Sequence, residues 1–294
     1  MREVTVGIND GGQRLDKFIS KLMPSLPKSM LYKGLRKNCV RLNGKHIKDG
    51  ASFVSAGDVL TLYFNDEFFV RDAHFKYVKP KFTVEYEDEN ILVINKPVGL
   101  LSHGDENGNG VSLVDMVKSY LYDKGEYSPD MEQTFSPALC NRLDRNTGGL
   151  VIAAKNAMAL REVNASIKRR KIRKFYTATV VGTPPSSGHL ESKLERTDKI
   201  TRVSDTGKSA SLDYRVMSHN DGVSVVEIEL HTGRTHQIRA QFSEFGYPLV
   251  GDTKYGGGNG FCQKLYSTKL IFGFDKSSPL SYLDGRSVTI TDSV

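Results

Sequence analysis

Asn141-Arg142-Leu143-Asp144-Arg145-Asn146-Thr147-Gly148-Gly149-Leu150-Val151-Ile152-Ala153-Ala154-Lys155 passes from a charged turn straight into an apolar strand. One acid stands between two arginines, and a glycine pair follows, so a carboxylate is displayed at the mouth of a sheet. Loops in that position are where chemistry is usually carried. In the plainer reading the turn is only polar, with Asp144 or Asn146 bonding nearby backbone. The stretches on either side decide between the two.

Downstream, His231-Thr232-Gly233-Arg234-Thr235-His236-Gln237-Ile238-Arg239 is equally dense in polar groups. Thr235 is placed to cap a helix in which Ile238, Phe242 and Phe245 face the core and Gly246 ends the run. Arg239 then lies one position past a buried residue, where its guanidinium can reach a partly buried acid. Two arginines and two histidines around one turn exceed what capping requires. Between these stretches, residues 168–174 hold six basic groups in seven positions and lead into Lys174-Phe175-Tyr176-Thr177-Ala178-Thr179-Val180-Val181-Gly182. A strand tyrosine alone is ordinarily core, but a basic run feeding an aromatic favours RNA contact. Upstream, Asn95-Lys96-Pro97-Val98-Gly99-Leu100-Leu101-Ser102-His103 leaves a strand through a proline and glycine turn.

Strand-like segments fall at 82–86, 91–95, 150–154, 175–181, 212–216 and 223–231. The last is the clearest, with Val226, Ile228 and Leu230 facing one way and Glu227, Glu229 and His231 the other. Helices at 112–122, 157–167 and 235–245 interleave without a repeating strand-helix unit. Residues 81–294 are therefore expected to form an α+β domain with a mixed, mainly antiparallel sheet.

Residues 13–64 read as a separate, small helix-plus-hairpin domain. Leu15, Phe18, Ile19 and Leu22 recur at helical spacing, Pro24 and Pro27 interrupt, and Ser29 is placed to cap a second helix that turns Met30, Leu31 and Leu35 inward. Lys33, Arg36 and Lys37 then share the opposite face. Asn43-Gly44 marks a hairpin after Val40 and Leu42, and Val59-Leu60-Thr61-Leu62 supplies a further strand. Residues 65–80 show neither period and read as a linker anchored by Phe68, Phe69 and Phe75.

A chain of 294 residues that is 38% hydrophobic can bury a sizeable core. Its formal net charge of +7 is localised: residues 1–80 carry fourteen basic against eight acidic groups, and residues 28–48 hold seven lysines and arginines and no acid. Such a face suits a polyanion. Cys39, Cys140 and Cys262 lie far apart without paired spacing, so neither a disulfide framework nor a zinc site is expected. A reducing, cytoplasmic setting fits. No run approaches membrane-spanning length and the N-terminus has no apolar core, so no membrane partner is expected. Gly256-Gly257-Gly258 follows no strand-helix cue, which leaves no dinucleotide or phosphate-loop fingerprint.

The Asp144 stretch resembles the second motif of the RluA-type family of RNA pseudouridine synthases, H-R-L-D-x-x-T-S-G-L. Residues 95–103 resemble the family's first motif, N-K-P-x-G followed by a histidine, and residues 174–182 its K-x-Y-x-A-x-V-x-G segment. Residues 233–239 match its third motif, G-R-T-H-Q-I-R, residue for residue, and Gly246, Pro248, Gly251-Asp252 and Tyr255-Gly256 extend the likeness. The resemblance implies that Asp144 is the catalytic aspartate, that Arg239 pairs with it, and that Tyr176 stacks on the target base. It further implies that Arg142 fills the space left by the flipped uridine, that Lys174, Arg234 and His236 lie against substrate, and that Lys96 and His103 support it. Residues 27–45 resemble the alpha-L RNA-binding domain shared by a small-subunit ribosomal protein and several RNA-modifying enzymes. That likeness implies backbone contacts by Lys33, Arg36, Lys37 and Arg41, which give affinity and register without base reading. Four positions depart from the family pattern: Asn141 for histidine, Asn146 for aspartate, Gly148 for serine and Gln241 for histidine.

The implied reaction breaks the N1 to C1′ glycosidic bond of uridine, turns the uracil and joins C5 to C1′. No atoms or redox equivalents are exchanged, so no cofactor or metal is expected. Asp144 would trap C1′, add to the base, or take the 2′ proton. The expected partner is structured RNA, ribosomal RNA of the large subunit, met by a monomer. A glycoside hydrolase would need a second acid near the first, and the two dense motifs offer none. A methyltransferase would need a glycine-rich loop after its first strand. A non-catalytic RNA-binding or ribosome-assembly protein would share the basic module but has no need of Asp144, Tyr176 and Arg239 together.

Overall fold

The computed structural model describes residues 1–69, 75–104, 110–197 and 200–290. They divide into two compact units, the first comprising residues 1–77 with 118–137 and 156–158, the second residues 78–117, 138–155 and 159–294.

In the first unit, β1 (Arg2–Thr5), β2 (Gln13–Arg14), α1 (Leu15–Leu22), α2 (Lys28–Arg36), β3 (Val40–Leu42), β4 (Lys45–His46), β5 (Phe53–Val54) and β6 (Val59–Leu62) follow in order. The sheet runs β1-β6-β3-β4, and β2 pairs with β5. Leu15, Phe18, Ile19 and Leu22 of α1 and Leu31 and Leu35 of α2 close over Val40, Val54, Leu60 and Leu62 as one core. Between β3 and β4, Asn43 (φ 50°) and Gly44 (φ 76°) are both left-handed, as a two-residue hairpin whose twist matches its strands requires. Asp10, 1% exposed, accepts from the backbone N–H and hydroxyl of Thr134, and Asn9 donates to Glu132, so the 118–137 segment completes this unit.

Two expectations for α2 need correction. Pro27, not Ser29, holds the capping position, with φ −60° and ψ 139° and no side-chain cap bond, so Ser29 sits within the first turn. Met30 is 41% exposed because the buried stripe is Leu31, Gly34 and Leu35, one position around the helix. Lys33, Arg36 and Lys37 are exposed opposite that stripe. Phe68 and Phe69 pack on the core and Phe75 lies 4.9 Å from the Tyr122 ring; residues 70–74 of the expected linker lie outside the described residues.

The second unit is built on β7 (Thr83–Glu87), β8 (Ile91–Lys96), β9 (Ala138–Leu139), β10 (Gly148–Ala154), β11 (Arg173–Val181), β12 (Ser187–Thr197), β13 (Ile200–Val203), β14 (Lys208–Asn220), β15 (Val223–Leu230), β16 (Leu265–Ile271) and β17 (Ser287–Thr289), with α4 (Ala157–Lys168) and α5 (Gln237–Glu244). Helix α3 (Leu113–Asp123) begins in this unit and ends in the first. Among the described residues the strands form one mixed sheet, ordered β13-β12-β14-β15-β11-β16-β10-β8-β7, with β9 on β10 and β17 on β16. Its strand pairings there are antiparallel except β10 with β16, which run parallel over Gly148↔Tyr266 and Gly149↔Ser267. A Cβ on Gly149 (φ 108°) would lie 2.2 Å from the Ser267 carbonyl oxygen, so only glycine lets the two strands meet.

β10 is buried along its whole length, as its unbroken apolar run requires, whereas β15 alternates strictly between buried and half-buried. β12 alternates between exposed and half-buried from Ser187 to Lys193, but Gly188 and Ser192 hold two of its inner positions, so no apolar period marks it in the sequence. No helix among the described residues is long and apolar enough to cross a membrane.

Candidate active site

Two loops at the start of β10 are fastened together by the residues that leave β8. Lys96 is fully buried, and its Nζ donates to the carbonyls of Pro97 (3.0 Å), Leu100 (2.8 Å) and Arg145 (3.1 Å). Gly99 N–H donates to the same Arg145 carbonyl at 2.9 Å, and Ser102 Oγ donates to the Leu143 carbonyl (2.7 Å) while accepting from its N–H (3.1 Å). The residues on both sides of Asp144 are thus pinned through their backbone, which fixes where the carboxylate starts. Burial lowers the Lys96 ammonium to about 8, and Asp144 opposes that shift.

The Asp144 side chain enters a cavity of about 280 Å³ lined also by Arg142, Lys174, Tyr176, Arg234, His236 and Arg239. Arg239, on the first turns of α5 and 7% exposed, donates from Nη1 to Asp144 Oδ2 at 3.1 Å. Its remaining edge is engaged by Asp252, which accepts from Nε at 2.6 Å and Nη2 at 2.9 Å. Burial alone would lower the Arg239 pKa, but these two carboxylates raise it above its usual value. The guanidinium also lies 4.9 Å over the Tyr255 ring, whose hydroxyl bonds His236 Nδ1 at 2.9 Å and accepts from the Thr201 N–H.

His236 takes the capping position of α5 in the left-handed region (φ 52°), with no side-chain cap. Thr235 therefore does not cap the helix, contrary to the sequence expectation. The buried Gln237 side chain does the local work, its Oε1 accepting from Thr232 Oγ1 (2.8 Å) and the Arg234 N–H (3.0 Å). His236 Nε2 stands 3.7 Å from Asp144 Oδ2, and burial holds its pKa below the usual value despite that carboxylate. Gly246 (φ 89°) ends the helix, with Tyr247 N–H returning to the Phe242 carbonyl.

Tyr176 lies on β11 with only 6% exposure, and burial pushes its hydroxyl up to about 12. It stays a neutral phenol presenting a ring to the cavity. Burial likewise lowers Lys174. Arg142 is exposed at the cavity wall, and Arg234 Nε is held by the Ser209 carbonyl at 3.0 Å.

The structure does not bring all the expected residues to the cavity. Lys96 spends its ammonium on carbonyls and His103 is exposed away from the lining, so neither is placed to touch a ligand in the cavity. Lys33, Arg36, Lys37 and Arg41 belong to the first unit, where Arg41 lies 5.7 Å over the Tyr63 ring.

Asp252, Ser102, Gln237 and Tyr255 are further residues of the site; the Gly251-Asp252 and Tyr255-Gly256 pairs are the sequence signal for two of them, and Ser102 and Gln237 lie within the 95–103 and 231–239 stretches.

The four departures have physical accounts at three positions. Asn141 Oδ1 accepts from the Ile152 N–H at 2.8 Å, tying the loop back to β10. A Cβ at Gly148 would sit 2.7 Å from the Tyr266 ring, so glycine matches that neighbour. Gln241 Nε2 donates to the Leu190 and Ala210 carbonyls and to Ser192 Oγ, linking β12 and β14. Nothing in the structure explains Asn146.

Comparison with known proteins gives two family matches: RNA pseudouridylate synthase over residues 90–244 and S4 domain over residues 13–60. An "Uncharacterized RNA pseudouridine synthase" of Mycoplasma capricolum subsp. capricolum is 31% identical, covering 98% of this chain and 97% of its own. A "Ribosomal large subunit pseudouridine synthase D" of Yersinia pestis is 32% identical over 86% of this chain and 76% of its own. Among solved structures, "Human RNA Pseudouridylate Synthase Domain Containing 1" superposes with a TM-score of 0.57 over 76% of this chain and 86% of that one, at 21% identity, a likeness of fold.

Proposed function

This chain belongs to the RNA pseudouridylate synthase family, and on that premise we propose that it isomerises selected uridines of large-subunit ribosomal RNA, with Asp144 as the acting carboxylate and no cofactor. The observation that carries the reading is the convergence of Asp144, the Arg239 guanidinium at 3.1 Å and the Tyr176 ring on one cavity. Each does something the isomerisation needs.

The glycosidic bond from N1 to C1′ breaks, the uracil turns within the cavity, C5 bonds to C1′, and the proton leaving C5 is balanced by one gained at N1. Asp144 acts by trapping C1′, by adding to the base, or by removing the 2′ proton. All three routes start from a carboxylate held in one orientation, which the bonds from Lys96 and Ser102 to the flanking backbone and the Arg239 contact provide. A uridine in structured RNA must leave its stack to reach this depth. Tyr176 holds the freed ring, and Arg142 at the cavity wall takes up the space it vacates. Lys174, Arg234 and His236 line the path of the sugar and phosphate.

The S4 domain supplies affinity. Lys33 and Arg36 on α2 and Lys37 at its C-cap form a solvent-facing basic row, with Arg41 on β3, suited to phosphate contacts that set register without reading bases. The name borne by the Yersinia pestis relative supports the choice of large-subunit RNA.

The test is chemical mapping of pseudouridine in ribosomal RNA from cells with and without this protein. At least one large-subunit site is expected to disappear and to return with the wild-type chain but not with Asp144→Asn. An unchanged map would overturn the proposed substrate, and failure of the purified protein on any structured RNA would overturn the proposed reaction.

A further inference from the structure

On the outer face of the second unit's sheet, acids are paired in two different ways. Glu229 is gripped by Arg173, Nε to Oε1 at 2.7 Å and Nη2 to Oε2 at 2.8 Å, and Glu227 accepts from Arg215 at 3.3 Å. Asp213, directly opposite Glu229 in the β14–β15 register, instead meets two imidazoles. His189 Nδ1 lies 2.6 Å from Asp213 Oδ1, and His231 Nε2 lies 2.8 Å from Oδ2. The His189 and Asp213 positions face each other across β12 and β14, while His231 follows β15 and is tied to Ser211 by its own N–H. The three ligand atoms all fall within 4.8 Å of one another.

An arginine partner completes a carboxylate and leaves nothing further to coordinate. Two imidazoles do not, because each also carries a lone pair that a metal can use. The geometry points to a divalent metal site of the zinc class at His189, Asp213 and His231. Two nitrogen donors and one carboxylate oxygen, with water in the fourth position, match the tetrahedral preference of zinc. Magnesium and calcium favour all-oxygen shells and fit this set poorly. Binding requires the tautomers that carry the proton on His189 Nε2 and His231 Nδ1, so that a lone pair of each ring faces the ion. The side chains of His189 and Asp213 are half exposed, so the ion has open access.

Such an ion would staple β12, β14 and the end of β15 at the root of the loop that carries Arg234 and His236. None of the three ligands lines the Asp144 cavity. Metal uptake can therefore be separated from isomerisation.

The experiment is calorimetric titration of the chelator-treated full chain with zinc ion, alongside thermal unfolding. One saturable equivalent and a raised melting temperature are expected. His189→Gln or His231→Gln alone should weaken binding by more than about tenfold, and the triple variant His189→Ala/Asp213→Asn/His231→Ala should lose the equivalent while its circular dichroism and metal-free isomerisation match wild type. Should the triple variant misfold, the single glutamine variants at these surface positions give the same readout. Cys140 is not a competing ligand, since burial pushes its thiol up to about 12. The proposal falls if wild type takes up no saturable zinc, if the variants take up zinc equally, or if magnesium competes on equal terms.

Discussion

Arg239 meets Asp252 edge-on, Nε and Nη2 each donating to a separate carboxylate oxygen. Both side chains are almost out of solvent, at 9% and 1% exposure, and only Nη1 is left for Asp144. One guanidinium therefore has a structural edge and a chemical edge. Arg239→Ala is expected to cost about 3–5 kcal/mol of stability, because it strands a buried charge. Adding Asp252→Ala should recover part of that loss in denaturant unfolding while leaving pseudouridine formation as low as in the single variant. Recovery of activity in the double variant would mean that Nη1 contributes nothing to Asp144. Arg239→Lys keeps the charge but loses the planar fork, so it should restore neither property fully.

Asp144→Asn retains shape and removes the carboxylate. Isomerisation should drop to background while the affinity for RNA and the melting temperature stay within a small margin of wild type, since Asn keeps the shape of Asp144 and its Oδ atom can still accept from Arg239 Nη1. Product formed at the wild-type rate would reassign the chemistry to another group.

Lys96 gives a pH dependence of definite sign. Its ammonium, ordinarily near 10.5, is lowered to about 8 by burial, so between those values the native state has already released a proton that the unfolded chain still holds. Stability then receives a rising contribution as pH increases through this window, at up to about 1.4 kcal/mol per pH unit, and the unfavourable contribution is fully present below about 8. Lys96→Met lacks this slope. It should also lose about 2–4 kcal/mol at neutral pH by leaving the Pro97, Leu100 and Arg145 carbonyls without their donor. Parallel unfolding-free-energy profiles for both proteins from pH 8 to 10 would contradict the assignment.

Replacing Lys33, Arg36, Lys37 and Arg41 together by alanine should weaken RNA binding and flatten its salt dependence by about three in log-log slope if all four meet phosphates. The turnover rate at saturating RNA should hardly change. An unaltered slope would make this face only solvated surface.

Much of this arrangement is legible in the residues themselves. The β15 alternation, the Asn43-Gly44 turn and the buried stripe of α1 follow from side-chain period and turn chemistry, and the α2 stripe does so except at Met30, which lies one position off the buried face. The contact between Arg239 and Asp144 was expected, but the second partner Asp252 was not, because a fork that serves two acids leaves no periodic trace. Lys96 was expected as a supporting residue without the means by which it supports, and Ser102 was not expected at all. Both act through main-chain carbonyls, to which any sequence contributes alike, so no pattern announces the contact. The missed β12 and β16 show the same limit, as a strand whose inner positions include Gly188 and Ser192, or one with mixed burial, has no apolar period to read.

The discontinuity of the first unit bears on the order in which this chain can fold during synthesis. Residues 1–77 emerge from the ribosome some forty positions ahead of the 118–137 segment that closes their unit. Until Thr134 arrives, Asp10 lacks the backbone N–H and hydroxyl that satisfy it in the native state, so a nascent or recombinant fragment ending at Tyr77 carries an acid prepared for burial but without its donors. The first unit, which holds the S4 match at residues 13–60, is thus completed by a later part of its own translation, and a fragment spanning residues 1–137 contains Thr134 with the whole 118–137 segment but not residues 156–158.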